Sequence, residues 1–234
     1  MRITFDHAEA ETASIETFFF RASRPLRYEA GQFIELTLPH ANPDSRGTSR
    51  WFTLSSAPSQ DLLSVTTRLK ENGGSSFKAA LRALTPGTEL MMSEAMGDFV
   101  LPRRIATPLL FVAGGIGITP VHSILQWLIA TDEQRPIHVI YGVRREDDIA
   151  FLDTFQTAKQ FTTIVVSQPS AAWGGERGPI NAAMIIGLHQ PTDDTLVYVS
   201  GPAPMTESLA SDLLAAGLRP GQVVRDSFLG YHRM

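Results

Sequence analysis

The run Leu109-Leu110-Phe111-Val112-Ala113-Gly114-Gly115-Ile116-Gly117-Ile118-Thr119-Pro120 decides how this chain folds. Its first five residues are apolar without alternation, the pattern of a strand buried on both faces of a parallel sheet. Beyond Pro120, the residues Val121, Ile124, Leu125, Leu128 and Ile129 keep the spacing of one helix face. Between strand and helix, Gly114, Gly115 and Gly117 permit a tight turn and the close approach of a pyrophosphate. Thr119 can cap the helix, and Pro120 suits its first position.

Toward the C-terminus the alternation continues. Strands are predicted at residues 137–141, 162–166 and 195–199, with helices at 149–159 and 205–216, the last stopped by Gly217 and Pro220. Such βαβα order predicts a parallel, doubly wound sheet whose ligands bind at the carboxyl ends of the strands. The glycine loop is not the G-x-G-x-x-G dinucleotide fingerprint, and a Walker A reading fails because no Gly-Lys-Ser/Thr follows. Residues 102–108 (PRRIATP), with two prolines, mark the boundary, so residues 103–234 are expected to form this nucleotide-binding α/β domain.

Residues 1–102 read as mostly β, with strand-like segments at 14–22, 32–38, 48–55, 62–69 and 88–93. Turn signals at Ala30-Gly31, Asn42-Pro43-Asp44, Asn72-Gly73-Gly74 and Pro86-Gly87 separate them. The spacing predicts a small antiparallel Greek-key barrel with one helix at residues 78–84. Two of its stretches suit an anionic, flat ligand. In Arg50-Trp51-Phe52-Thr53-Leu54-Ser55-Ser56-Ala57-Pro58, Arg50 and Phe52 project to one strand face, a guanidinium fork beside an aromatic ring. Thr53 adds a hydroxyl. The same residues also describe an ordinary strand with an arginine at its rim. In the second stretch, Gly73-Gly74 gives way to Ser75-Ser76, whose hydroxyls can cap the next helix while its free amides face the loop, or simply cap it.

Composition narrows the function classes. Of 234 residues, 43% are hydrophobic and 19% charged, as in a globular protein. A formal net charge of −4 gives no argument for nucleic acid. The absence of cysteine excludes disulfides, thiolate nucleophiles, cysteine-ligated zinc and iron–sulfur clusters within the chain. The six histidines show no i, i+4 pair, so no metal site is expected, and His138 reads as structural. No stretch approaches the roughly 20 apolar residues that span a bilayer, and the N-terminus shows no signal-peptide run. A cytoplasmic, monomeric protein with no membrane or nucleic-acid partner is the expectation.

The motifs together resemble the ferredoxin–NADP reductase superfamily. Arg50-x-Phe52-Thr53-x-x-Ser56 is similar to its flavin motif, and Gly114–Pro120 to its GGxG(I/V)TP nicotinamide-nucleotide loop. Tyr141-Gly142-Val143-Arg144 resembles its (Y/F)GxR strand end, and Ser200-Gly201-Pro202-Ala203-Pro204-Met205 stands where it has Cys-Gly-Pro-x-x-Met. Asp226-Ser227-Phe228 with Gly230-Tyr231 resembles the family's acidic-x-aromatic ending. Ser200 in place of cysteine and Asp226 in place of the commoner glutamate are departures.

The resemblance implies an FAD-dependent NAD(P)H oxidoreductase, a stand-alone one without an iron–sulfur domain. Arg50 and the segment Thr67-Arg68 with Gly73–Ser76 would hold the flavin pyrophosphate; Trp51 and Phe52 would line its ring and Thr53 would reach N5. Gly114, Gly115, Ile116, Gly117, Thr119 and Pro120, together with Gly142, Arg144, Ser167, Gly201, Pro202 and Met205, would hold NADH or NADPH. Ser200, Asp226, Phe228 and Tyr231 would lie where nicotinamide meets flavin. Ser167-Gln168, where NADPH-using relatives often carry Ser-Arg, leans toward NADH. The implied acceptor is a separate redox protein, a ferredoxin, flavodoxin or oxygenase component. Alternatives are reduction of free flavin or another small acceptor, and a non-catalytic nucleotide-sensing or electron-transfer subunit.

Overall fold

Closed β structure in the first half and a layered parallel sheet in the second divide this computed structural model, which describes residues 1–70, 74–157 and 162–226. The first half holds β1 (Arg2–Thr12), β2 (Ile15–Ala22), β3 (Phe33–Thr37), β4 (Ser49–Thr53), β5 (Leu63–Arg68), helix α1 (Ser76–Arg82) and β6 (Glu89–Met92). Its strands are antiparallel neighbours in the order β4-β3-β6-β1-β2-β5. The outer two also meet. Leu54 bridges Val65, and the Ser55 amide donates to the Ser64 carbonyl at 2.8 Å, closing the sheet into a barrel.

One strand, β1, lies outside the predicted segments. Only Ile3 and Phe5 of its first half point into the barrel core, and the pairing with β2 shifts register between Phe5 and His7. Beyond that bulge Ala8, Glu9 and Ala10 are exposed and His7 and Glu11 only partly buried, so the period-2 signal is lost. Inside, Phe18, Phe20, Leu36, Leu54, Phe77 and Leu90 are essentially inaccessible.

The second half holds β7 (Leu109–Gly114), α2 (Thr119–Thr131), β8 (Ile137–Val143), α3 (Leu152–Thr157), β9 (Thr162–Val166), β10 (Glu176–Arg177), α4 (Ala182–His189), β11 (Leu196–Ser200), α5 (Ala203–Ala215) and β12 (Val223–Arg225). All strand pairs are parallel, in the order β10-β9-β8-β7-β11-β12. The apolar runs split by parity. Leu109, Phe111, Ala113, Val139 and Tyr141 pack under α2 and α3, whereas Leu110, Val112, Ile140, Val197 and Val199 pack under α4 and α5. Helix α4 was not anticipated, though Asn181 accepts from the Met184 amide at 2.9 Å as its cap, a signal present in the sequence.

The barrel docks on the α2–α3 face. Ile15, Ala30 and Phe99 belong to the same cluster as Phe111 and Ile124, and Phe99 lies edge-on to Tyr198 at 5.0 Å. Burying one such phenylalanine contributes about 1.5–3 kcal/mol. Polar contacts fix the orientation. Ser123 Oγ donates to the Ser56 carbonyl at 2.6 Å, Tyr198 to the Val100 carbonyl at 2.8 Å, and Arg68 pairs with Asp148 at 2.6 Å. Strand order reverses at β7, whose neighbours β8 and β11 are reached in opposite directions, so the switch point faces the barrel.

Candidate functional site

At that switch point a cleft of about 270 Å³ opens between the halves. From the barrel it is lined by Arg46, Arg50, Trp51, Phe52 and Thr53, by Thr66 and Thr67 of β5, and by Ser75 and Lys78 at α1. From the second sheet it is lined by Ile116, Gly117 and Thr119 after β7, by Ser200, Gly201 and Pro202 after β11, and by Asp226 after β12. Residues from distant parts of the chain thus meet at one place.

Arg50 is not a free fork. Its side chain is 7% exposed, Nη2 pairs with Asp44 at 2.8 Å, and Nη1 donates to the carbonyls of Arg46, Gly47 and Ser49 at 2.7–3.0 Å. The guanidinium lies 5.3 Å from the centre of the Phe77 ring. Only Nε is left without a partner, and it is buried. Asp44 also pairs with Arg46, the chief cause holding its carboxyl well below the usual range. Phe52 is buried against Phe77 at 5.8 Å, and Trp51, less buried, meets Phe33 edge-on at 5.4 Å.

The serines before α1 do not cap it as expected. Ser75 makes no side-chain cap bond; Ser76 Oγ instead accepts from the Asp44 amide at 2.8 Å, and its own amide donates to Asp44 Oδ2 at 3.2 Å. A carboxylate from the β3–β4 connection outcompetes the local hydroxyl because it is charged and already fixed by two arginines.

The glycine loop also differs in detail. Gly115–Ile118 form a 3-10 turn, and α2 begins at Thr119, whose hydroxyl donates to the Ile116 carbonyl at 3.0 Å rather than capping the helix; Pro120 lies in the first turn. Only Gly115 of the three uses positive φ, +53°. Gly114 and Gly117 are needed for space: a Cβ on Gly114 would sit 2.2 Å from Met205 Sδ, and one on Gly117 2.5 Å from the Gly201 amide nitrogen. The loops after β7 and β11 therefore interlock through backbone.

Ser200 is fully buried and donates to Asp226 Oδ2 at 2.8 Å. The Asp226 amide donates to the Val199 carbonyl at 3.0 Å. Burial is the main cause pushing the Asp226 carboxyl up to about 6; Asp98 adds to the rise and the Ser200 hydrogen bond opposes it. Two residues read separately in the sequence are thus one coupled pair.

Residues 111–211 match the family of the oxidoreductase NAD-binding domain. That stretch runs from β7 into α5 of the second sheet's layer. Over 93% of its length the chain is 27% identical to the NADH oxidoreductase HCR of Escherichia coli, and over 93% it is 26% identical to the glycine betaine monooxygenase reductase subunit of Chromohalobacter salexigens. It spans 65% and 61% of those two proteins. The fold superposes with a TM-score of 0.80 on a ferredoxin NADP+ reductase from Neisseria gonorrhoeae with bound FAD and NADP, at 19% identity and covering 97% of both chains.

Within the second half, three further residues singled out in the sequence lie at the ends of β8 and β9, apart from the cleft lining. Gly142 abuts Ile180, which leaves 2.6 Å for a Cβ; Arg144 Nε donates to Gln168 at 3.0 Å; and the Ser167 amide donates to the Val143 carbonyl at 3.0 Å. Arg68 is also outside it, tied to Asp148 and to Ser14. Met205 acts as packing against the glycine loop, and Gly74 lies in an adjoining cavity. Gly73, Phe228 and Tyr231 lie outside the described residues.

Arg46, Thr66 and Lys78 line the cleft without having been singled out. Lys78 did carry a signal: a cation in the first turn of a helix opposes its dipole, a local conflict that often marks a functional position. His138 donates to or accepts from Thr163 at 2.9 Å within the sheet surface. Among the described residues there is no group of three or more side chains able to hold a metal, and no helix long and apolar enough to cross a membrane.

Proposed function

We propose that this chain is a flavin-dependent NAD(P)H oxidoreductase, with residues 1–102 holding FAD and residues 103–234 holding the nicotinamide nucleotide. The observation that carries the reading is the shared cleft, in which Arg50–Thr53 of the barrel faces Ser200–Pro202 and Asp226 of the NAD-binding domain. The residues present fit such a cofactor. An unpartnered buried Nε–H on Arg50 and the ammonium of Lys78 suit phosphate, while Trp51 and Phe52 offer apolar surface for a ring system.

A flavin bound there supplies the redox chemistry, accepting hydride from the nicotinamide and passing electrons on. The chain's own groups position and exclude. Thr53 would offer a hydroxyl to the ring edge, and Phe52 would support its face. Gly117 and Gly201 would offer backbone to the nucleotide, their loops packed so closely that a side chain on Gly117 would strike Gly201. Ser200, at the cleft wall, has its single proton committed to Asp226, so its oxygen is left as an acceptor that would suit the amide hydrogens of a nicotinamide carboxamide. Below about pH 6, Asp226 takes a proton and the pair can reverse its donor and acceptor roles.

The acceptor in this reading is a separate redox protein of the oxygenase-component or ferredoxin type, in keeping with the reductase-subunit relatives. NADH is favoured over NADPH because the guanidinium of Arg144 is engaged with Gln168. The test is direct. Purified protein should be yellow, acid should release FAD, and NADH should be oxidised with a ferredoxin or oxygenase component faster than with free flavin. Colourless protein that FAD and FMN both fail to reconstitute sinks the proposal; release of FMN removes its dinucleotide part, and faster turnover with free flavin reassigns the acceptor.

A further inference from the structure

The arginines around the cleft each have a carboxylate: Arg46 and Arg50 share Asp44, Arg68 holds Asp148, and Arg82 on the outer side of α1 holds Glu16. Lys78 is different. Its Nζ donates to the Arg68 carbonyl at 2.8 Å, and among the described residues no carboxylate pairs with it. It is half-buried, and among the described residues the charges named as acting on it are positive: Arg46 before β4, Arg50 on β4, Arg68 and Lys70 at the end of β5. Asp44 is committed to the two arginines, and Asp226 lies on the opposite wall of the cleft. A half-buried cation with no counter-charge among the described residues is unfavourable, and a bound anion removes that cost.

Position adds a second argument. Ser75 and Lys78 line both the cleft and a neighbouring cavity of about 490 Å³ that runs along α1 past Lys70, Gly74 and Arg82. Lys78 stands where the two spaces meet. Arg50, beside it, has both Nη groups occupied and a single unpartnered buried Nε–H. We infer that Lys78, with Arg50 Nε as a secondary donor, is the cation that neutralises the diphosphate of the flavin, the ring system lying in the cleft and the adenosine in the cavity along α1. This rests on the flavin reading above and assigns the charge to Lys78, with Arg50 acting chiefly as the scaffold of the β3–β4 connection.

The inference has a pH signature. Burial, reinforced by the four neighbouring cations, lowers the Lys78 ammonium to about 8. An anion alongside raises it again. Flavin binding therefore takes up a proton when pH exceeds about 8, and affinity falls as pH rises through that region.

The test uses full-length protein stripped of flavin, titrated with FAD, FMN and riboflavin between pH 6.5 and 9.5 by flavin fluorescence, with circular dichroism to verify folding. Lys78→Met should weaken FAD about ten- to a hundred-fold at pH 7 and abolish the loss of affinity at high pH. Riboflavin, which lacks phosphate, should bind wild type and Lys78→Met alike. Lys78→Arg keeps the charge at all these pH values, so it should bind FAD without the alkaline weakening. FAD affinity and pH profile unchanged in Lys78→Met overturn the inference, as does an equal loss of riboflavin and FAD, which makes the lysine a shaper of the pocket. Should Lys78→Met fail to fold, a Lys78→Arg profile that still falls above pH 8 overturns it. Wild type that binds no flavin sinks the inference together with the functional reading beneath it, an outcome distinct from the others.

Discussion

Replacing Asp226 by asparagine should make the folded protein more stable at neutral pH. Asp226 is largely buried, accepts from Ser200 at 2.8 Å, and has its pKa raised from 3.8 to about 6, chiefly by burial. A carboxyl whose folded pKa exceeds its unfolded value stabilises the fold when protonated. Its contribution is complete below about pH 3.8 and is lost as pH rises through about 6. At about 1.4 kcal/mol for each tenfold change in proton affinity, the rise is worth up to about 3 kcal/mol. Asparagine is neutral at every pH and still offers an oxygen to the Ser200 hydroxyl. Asp226→Asn should therefore exceed wild type by up to about 3 kcal/mol at pH 7.5, or several degrees in Tm at roughly 2–4 °C per kcal/mol for a chain of this size. The two should converge only below about pH 3.8. Urea midpoints and melting temperatures of both proteins from about pH 3.5 to 8 measure the difference. A gap that does not vary with pH, or an asparagine variant less stable at pH 7.5, refutes the assignment of Asp226 as a desolvated carboxylate.

Arg50→Ala should lower the melting temperature of flavin-free protein, because Asp44 loses one of its two guanidinium partners and three carbonyls lose a donor, and an unchanged Tm would return Arg50 to a ligand-only role. Gly117→Ala should destabilise the NAD-binding domain by about 1–3 kcal/mol through overpacking against Gly201, and nucleotide titration should show weaker binding even where the protein folds. Arg68→Ala removes a partly exposed pair between the halves and should cost no more than about 1 kcal/mol, read as a small shift in urea midpoint.

Local patterns carried the architecture. Leu109–Ala113 has no alternation because both faces of its strand are covered, and the structure distributes those side chains alternately to the two helical layers. The glycine turn and the Arg50–Thr53 strand were legible for the same reason: each depends on residues within a few positions of one another. What the sequence concealed depends on distant partners. Asp44 satisfies Arg50 and the start of α1 from a connection that reads only as a turn. Ser200 and Asp226, 26 residues apart, become a pair only because β11 and β12 run parallel side by side. β1 was hidden by its own bulge, which leaves half the strand facing outward with charged residues.

The backbone interlock of Gly117 with Gly201 has a thermodynamic consequence. Ordering a free loop costs about 1–2 kcal/mol of backbone entropy for each residue. Here the two loops that face the nucleotide are already held by contact between their main chains and by Met205 packed over Gly114. Nucleotide association should then proceed without a coupled ordering step. Its heat-capacity change should be small, of the size set by the surface covered, with none of the large negative excess that accompanies folding upon binding. Calorimetry at several temperatures would reveal that signature.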